Sequence, residues 1–130
     1  MTTHIFPIRV FYEDTDMAGI VYYANYLRYI ERARSDWVDQ AGIDQNAMRA
    51  DGVVFVVTRV EADYLAPARF HDDLLVETTI EKRTRVRLVF RQRVLRGADC
   101  LFDSRVTATC MDAAGRVVPL PPGLPGPSDG

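Results

Sequence analysis

Histidine and cysteine are scarce in this 130-residue chain, with two of each and a single tryptophan. A zinc centre needs such residues at ligand spacing, and neither His4 nor His71 stands at that spacing to a cysteine. Nucleophile–histidine catalysis is equally unsupported. Neither histidine has an adjacent nucleophile, and Ser35 and Ser104 lie in no elbow motif. Both cysteines, Cys100 and Cys110, fall in one strand-like stretch, CLFDSRVTATC. Ten strand residues separate them by about 33 Å, far beyond the roughly 4.4–6.8 Å between Cα atoms that a disulfide tolerates, so free thiols are expected. Long hydrophobic runs are also missing. No stretch of about 18 apolar residues exists to form a membrane span, and MTTHIFPIRV lacks the basic and apolar regions of an export signal. The expected location is the cytoplasm. Finally, no charge sign dominates: 16 basic against 18 acidic residues give a net charge of −2. No global field attracts nucleic acid or an anionic membrane, and any anion site must be local.

What is present is an ordinary core. Hydrophobic residues make up 48% of the chain, enough for one globular domain without disulfide or metal staples, and size demands no cofactor. IFPIRVFY (5–12) reads as a short strand that Pro7 confines to an edge. Tyr26, Ile30, Ala33, Trp37 and Ala41 recur at helical spacing and predict a helix of about four turns. Gly42 stands where a left-handed cap would stop it, and residues 44–51 suggest a further helical turn. Everything beyond reads as strand. VVFVVTRVEADYL (53–65) is apolar enough at its start to be buried on both faces, whereas DLLVETTIEK (73–82) and RVRLVFRQRVLR (85–96) alternate. The last of these places Val86, Leu88, Phe90 and Val94 on one face and Arg85, Arg87, Arg91 and Arg93 on the other. The proline- and glycine-rich run PLPPGLPGPSDG, from residue 119, is expected to be a mobile tail behind a single domain of residues 1–118. One long helix must cover about five strands, so the economical architecture is α+β: an antiparallel sheet curled round the helix. Such a sheet leaves an open edge and an uncovered face, and pairing into a homodimer or homotetramer would remove both.

The chemistry-bearing stretch is EDTDMAGIVYYANY, residues 13–26. Asp14, Asp16 and Gly19 begin like a calcium loop, but Ala18 and Asn25 occupy positions where ligands belong and no helix leads in. Glu13 and Asp14 read best as turn or capping acids. Asp16 is set apart by the residues after it. Gly19 permits close backbone approach, Ile20 and Val21 are too apolar for a free loop, and the next helix turn offers unpaired N–H groups. A carboxylate facing a helix start across an apolar gap suits work on a carbonyl. The N–H polarises the oxygen, while the carboxylate attacks the carbon or activates water.

YEDTDMAGIVYYANYLRYIERAR resembles the signature of hotdog-fold acyl-CoA thioesterases, in particular the Tol-Pal-associated acyl-CoA thioesterases and 4-hydroxybenzoyl-CoA thioesterase. FVVTRVEADYLAPARFHDDLLVETTI is similar to the same family, and the likeness runs to about residue 112. It implies a hotdog fold, with active sites between two subunits and hydrolysis of an acyl-CoA thioester to coenzyme A and a carboxylic acid without metal or cofactor. The catalytic carboxylate falls on Asp16, as nucleophile or general base, and the carbonyl-polarising backbone amide on Tyr23. Many Tol-Pal-associated members have histidine where this chain has Tyr23, and the hydroxybenzoyl-type enzyme has tyrosine. Gly19, Ile20 and Val21 are the neighbouring substrate-binding candidates, whereas Tyr22, Asn25 and Tyr26 read as packing and capping at the helix start. Coenzyme A carries three phosphate groups, which guanidinium forks match, so Lys82, Arg83, Arg85 and Arg87 are candidates to hold it. For at least half of the arginine face, however, a solvated sheet surface is the better reading. Two rivals remain: a hotdog dehydratase acting on acyl carrier protein, and a non-enzymatic acyl-binding scaffold of the Tol-Pal system. The dehydratase pairs a histidine with an acid, and both histidines here lie outside the motif.

Overall fold

A computed structural model describes residues 3–127. β1 (His4–Arg9) leads through a 3-10 turn at Tyr12–Asp14 to helix α1 (Asn25–Gln40) and the short α2 (Gln45–Ala50). Strands β2 (Val54–Tyr64), β3 (Asp73–Arg83), β4 (Leu88–Arg96), β5 (Asp99–Met111) and β6 (Val117–Val118) come next. All pair antiparallel, in the order β1-β3-β4-β5-β2, with β6 added beside β5. Pro7 indeed lies on an edge strand. Gly42 ends α1 with φ 84°, the left-handed conformation that glycine adopts without a Cβ penalty.

The sheet wraps α1 because the two apolar faces match. Tyr26, Ile30, Ala33 and Trp37 are buried as their spacing predicts, joined by Tyr29 and Val38. They meet the inward residues of the central strands, including Val76 and Ile80 of β3, Leu88, Phe90 and Val94 of β4, and Phe102 and Val106 of β5. Trp37 packs edge-on to Phe90 at 5.2 Å between centroids. Each such side chain contributes about 1.5–3 kcal/mol by leaving water. One inward position of β4 is polar. Gln92 is fully buried and donates to the Ile30 carbonyl (2.9 Å) and to Thr78 Oγ1 (3.0 Å), while its Oε1 accepts from Arg34 (2.9 Å). These bonds satisfy the amide and tie the middle of α1 to the sheet.

Three expectations change. β2 is not buried on both faces at its start. It pairs only with β5 and is therefore the second edge, where Val54, Val57, Val60 and Tyr64 are each 40–48% exposed. Arg85 and Arg87 do not share a strand face with Arg91 and Arg93, because β4 begins only at Leu88. Thr84 accepts Arg87 N–H through its hydroxyl and donates its own N–H to the Arg87 carbonyl, closing a tight turn. Arg91 and Arg93 lie on the outer sheet face and pair across strands with Asp103 (2.9 Å) and Glu77 (2.7 Å), as Arg105 does with Glu81 (2.7 Å). The third change concerns the run from residue 119. Leu120 and Leu124 are buried, and Leu120 N–H donates to the Arg85 carbonyl at 2.9 Å. Two leucines among the prolines give this segment an anchor that its composition conceals; its last three residues, 128–130, lie outside the described residues.

Candidate active site

Residues 15–21 form a small hairpin, with Thr15 bridged to Val21. Asp16 opens its turn: its carbonyl accepts Gly19 N–H (3.0 Å) and its N–H donates to the Ile20 carbonyl (2.9 Å). Gly19, at φ 78°, supplies the left-handed residue that lets a three-residue loop match the twist of its flanks. The Asp16 carboxylate is only half engaged. Oδ1 accepts Ala18 N–H at 2.9 Å, and Oδ2 accepts nothing from the described residues.

Asp14 holds the loop and the helix start together. Its Oδ2 accepts Phe11 N–H (2.9 Å), and its carbonyl accepts both Tyr22 N–H and Asn25 Nδ2–H (2.9 Å each). Asn25 thus reaches back to the preceding loop instead of capping its own helix, and Ala24 at the cap position offers no side chain either. Beneath them the Tyr29 hydroxyl is held well above the usual tyrosine range, first by burial and then by the Asp14 carboxylate. The helix start is left with a free donor. Tyr23 N–H reaches no acceptor among the described residues, whereas the Tyr23 carbonyl is fixed by the Tyr64 hydroxyl at 2.9 Å.

The hairpin and helix start are clamped to the turn after β2. Val21 N–H donates to the Ala68 carbonyl (2.8 Å), Ala68 N–H donates to the Tyr26 hydroxyl (2.9 Å), and Ile20 bridges to Arg69. Between them lies a cavity of about 350 Å3 lined by Ile20, Val21, Tyr23, Tyr26, Tyr64, Leu65, Ala66 and Pro67. Its wall is aromatic: Tyr64 meets Tyr26 at 5.5 Å and Tyr23 at 6.2 Å in edge-on geometry. Tyr26 in turn stacks on Phe102 at 5.1 Å. Two of these phenols already hold backbone partners, so the rings face the cavity mainly as apolar surface.

Of the residues that sequence singled out, Asp16, Gly19, Ile20, Val21 and Tyr23 come together in this corner. Ile20, Val21 and Tyr23 line the cavity, and Asp16 sits on the tip of the same hairpin. Lys82, Arg83, Arg85 and Arg87 do not join them within one chain. They occupy the far end of β3, whose eleven residues span about 35 Å, and the turn that follows it. Arg83 is engaged there by the Leu124 carbonyl, whereas Lys82, Arg85 and Arg87 are exposed and have no ion pair among the described residues. Tyr64 to Pro67 were missed as cavity residues. The only signal in the sequence was the YLAPAR turn, and its contact with Tyr23 and Tyr26 bridges some 40 positions. Among the described residues no three His, Cys, Asp or Glu side chains converge as metal ligands. Asp14 and Asp16 each bind a different backbone amide. Both cysteines are free, and burial pushes the Cys110 thiol up to about 11, which leaves it unreactive near neutrality. No helix is long and apolar enough to cross a membrane among the described residues.

Comparison with known proteins places this corner in context. Acyl-CoA thioester hydrolase YbgC of Escherichia coli O6:H1 is 39% identical over 115 residues, covering 86% of each chain. Acyl-CoA thioesterase YbgC of Haemophilus influenzae is 35% identical over 116 residues, covering 88% of this chain and 85% of its own. The crystal structure of a probable thioesterase from Bartonella henselae superposes with a TM-score of 0.87 at 30% identity, covering 92% of this chain and all of that one. The sheet curled round one long helix is the hotdog fold of these thioesterases. With the profile of the Thioesterase-like superfamily matching residues 10–125, from the end of β1 past the buried Leu124, the chain belongs to that superfamily.

Proposed function

We propose that the chain hydrolyses acyl-CoA thioesters to coenzyme A and a carboxylic acid, with Asp16 as the reactive carboxylate and the Tyr23 amide as the donor that polarises the thioester carbonyl. One observation carries this reading: Ile20 and Val21, on the hairpin that bears the half-free Asp16 carboxylate, line one apolar cavity together with Tyr23, whose N–H has no acceptor among the described residues. In the general-base route Asp16 takes a proton from water as the oxygen attacks the carbonyl carbon. The C–S bond then breaks, and the sulfur takes up the proton. In the nucleophilic route Asp16 forms a mixed anhydride and expels the thiolate, and water opens the anhydride. Either way negative charge gathers on the carbonyl oxygen, where one preorganised donor is worth about 10²–10³ in rate.

The working unit in this reading is at least a homodimer. β2 is an open edge with exposed Val57 and Val60 beside a groove to α1 of about 230 Å3. Pairing two β2 strands about a twofold axis makes them antiparallel, so the Val54 end of one lies beside the Tyr64 end of the other. The partner's Lys82, Arg85 and Arg87, which share the Val54 end, thereby come to the end of the sheet that carries Asp16. A site built from two chains reunites residues that one chain keeps apart. The same cations suit the phosphate of an acyl carrier protein, the alternative carrier. Cytoplasmic location and association with a Tol-Pal system belong to this reading through the likeness of the helix-start motif. Hydrolysis rates over a panel of short, long and aromatic acyl-CoA thioesters test it. Turnover of at least one class supports the assignment, and failure on the whole panel by folded protein overturns it.

A further inference from the structure

The C-terminal run meets the basic turn at two points. Leu120 N–H donates to the Arg85 carbonyl at 2.9 Å, and the Arg83 guanidinium donates to the Leu124 carbonyl. Both leucines are anchored in the core, Leu120 at 8% and Leu124 at 4% exposure. A segment that is more than a third proline and glycine is thus pinned by two apolar side chains across the end of the sheet. The turn it holds is itself tight, with Thr84 bonded to both Val86 N–H and Arg87 N–H through its hydroxyl. Lys82, Arg85 and Arg87 project from this turn without ion pairs among the described residues, although acids such as Glu81 and Glu77 lie on the adjoining strand. Glu81 and Glu77 are already committed to Arg105 and Arg93.

We infer that residues 119–124 form a strap that positions the Lys82–Arg87 turn as an anion site for the phosphate-bearing part of the thioester carrier. This rests on the proposed acyl-CoA reading and adds Leu120 and Leu124 to it as positioning residues. The physical reason is entropic. A cation on a free turn loses conformational freedom when it grips a phosphate, whereas a turn fixed at the Arg85 carbonyl has lost it on folding. Arg83 serves the strap, so three of the four basic side chains remain for the anion.

The test compares one acyl group on two carriers, coenzyme A and N-acetylcysteamine, which lacks every phosphate. In Leu120→Ala/Leu124→Ala, KM for the acyl-CoA rises about five- to tenfold with kcat within about twofold, and both constants for the N-acetylcysteamine thioester stay within about twofold of the wild type. A merely structural role would lower kcat on both carriers, and an unchanged KM for acyl-CoA would show that the strap positions nothing; either result overturns the inference. If the double variant fails to fold, Leu124→Ala alone carries the comparison. Arg85→Ala/Arg87→Ala, assayed in parallel, separates the two levels. A raised acyl-CoA KM here but not in the leucine variant refutes the strap and leaves the phosphate reading standing. An unchanged KM in both refutes the phosphate reading and the strap with it.

Discussion

The two ends of the sheet are built on opposite principles. At the Asp16 end, a loop rich in potential ligands is fixed by backbone bonds: Asp14, Ile20, Ala68 and the Tyr26 and Tyr64 hydroxyls all hold main-chain groups. Asp16 Oδ2 and Tyr23 N–H are among the groups that find no partner among the described residues. At the Arg85 end, the turn is fixed just as tightly, by Thr84 and by the strap, but what is left over is positive charge. Rigid main chain with a few unsatisfied groups is how a protein prepares for a ligand before meeting it. On the proposed reading the contrast also divides the tasks. The acidic, apolar end suits bond-breaking at a carbonyl, and the basic end suits holding a phosphate.

The largest effect expected from breaking this contrast falls on Asp16. Asp16→Asn keeps the bond to Ala18 N–H but removes the basic oxygen, so kcat falls by about 10²–10⁴. Asp14→Asn moves the other way. Its loss is in stability, roughly 0.5–2 kcal/mol for a weakened cap, read as a lower melting temperature with kcat kept at low temperature.

Next comes the edge that would join the two ends. Val57→Glu/Val60→Glu places charge on the open β2 strand, where a second copy would have to bury it. Light scattering at micromolar concentration is expected to show the wild type as a dimer or larger and the variant as one chain, with activity falling at least about tenfold because charge burial costs several kcal/mol. A wild type with the mass of one chain would break the two-chain site. Tyr64→Phe is a smaller perturbation. It keeps the ring in the cavity wall and removes the hydroxyl that holds the Tyr23 carbonyl, so kcat drops several-fold with KM nearly unchanged, in keeping with about 0.5–1.5 kcal/mol for a neutral hydrogen bond.

The smallest effect belongs to the outer sheet face, which serves neither end. The Arg91 guanidinium bonded to Asp103 holds that carboxyl below the usual carboxylate range. A depressed folded value stabilises the protein above the ordinary aspartate pKa and ceases to do so as pH falls through the folded value. Asp103→Asn should therefore melt slightly earlier than wild type at neutral pH, and the two curves should converge in acid. The pair is partly exposed, so the neutral-pH gap stays within about 1 kcal/mol.

Much of this was legible in the sequence. Helical spacing from Tyr26 to Trp37 and alternation in β3 and β4 point to one helix and a sheet, since burial of one face is a local rule. Asp14, Asp16 and Gly19 likewise singled out the segment before the helix, though not its hairpin form. Three features were not legible, each for a reason of range. β2 reads as a buried strand because an apolar edge strand has the same local composition as a core strand. The run after Val118 reads as a tail because two anchoring leucines do not alter a composition dominated by proline and glycine. Tyr64 joins the cavity through ring contacts with Tyr23 and Tyr26, some 40 positions away, and Pro67 lines it beside them, which no local pattern encodes. Gln92 belongs here too: a polar residue at an inward position signals a network only once Ile30, Arg34 and Thr78 are placed around it.

The claim at the centre of this account is that Asp16 does chemistry and not binding. Its most direct test is a calorimetric titration of Asp16→Asn with an acyl-CoA that the wild type hydrolyses, followed by assay of the same sample for released thiol. The account predicts a Kd within about threefold of the wild-type KM, with thiol release at least about 10²-fold slower. Release at the wild-type rate, or loss of binding with turnover preserved at saturating substrate, would contradict it.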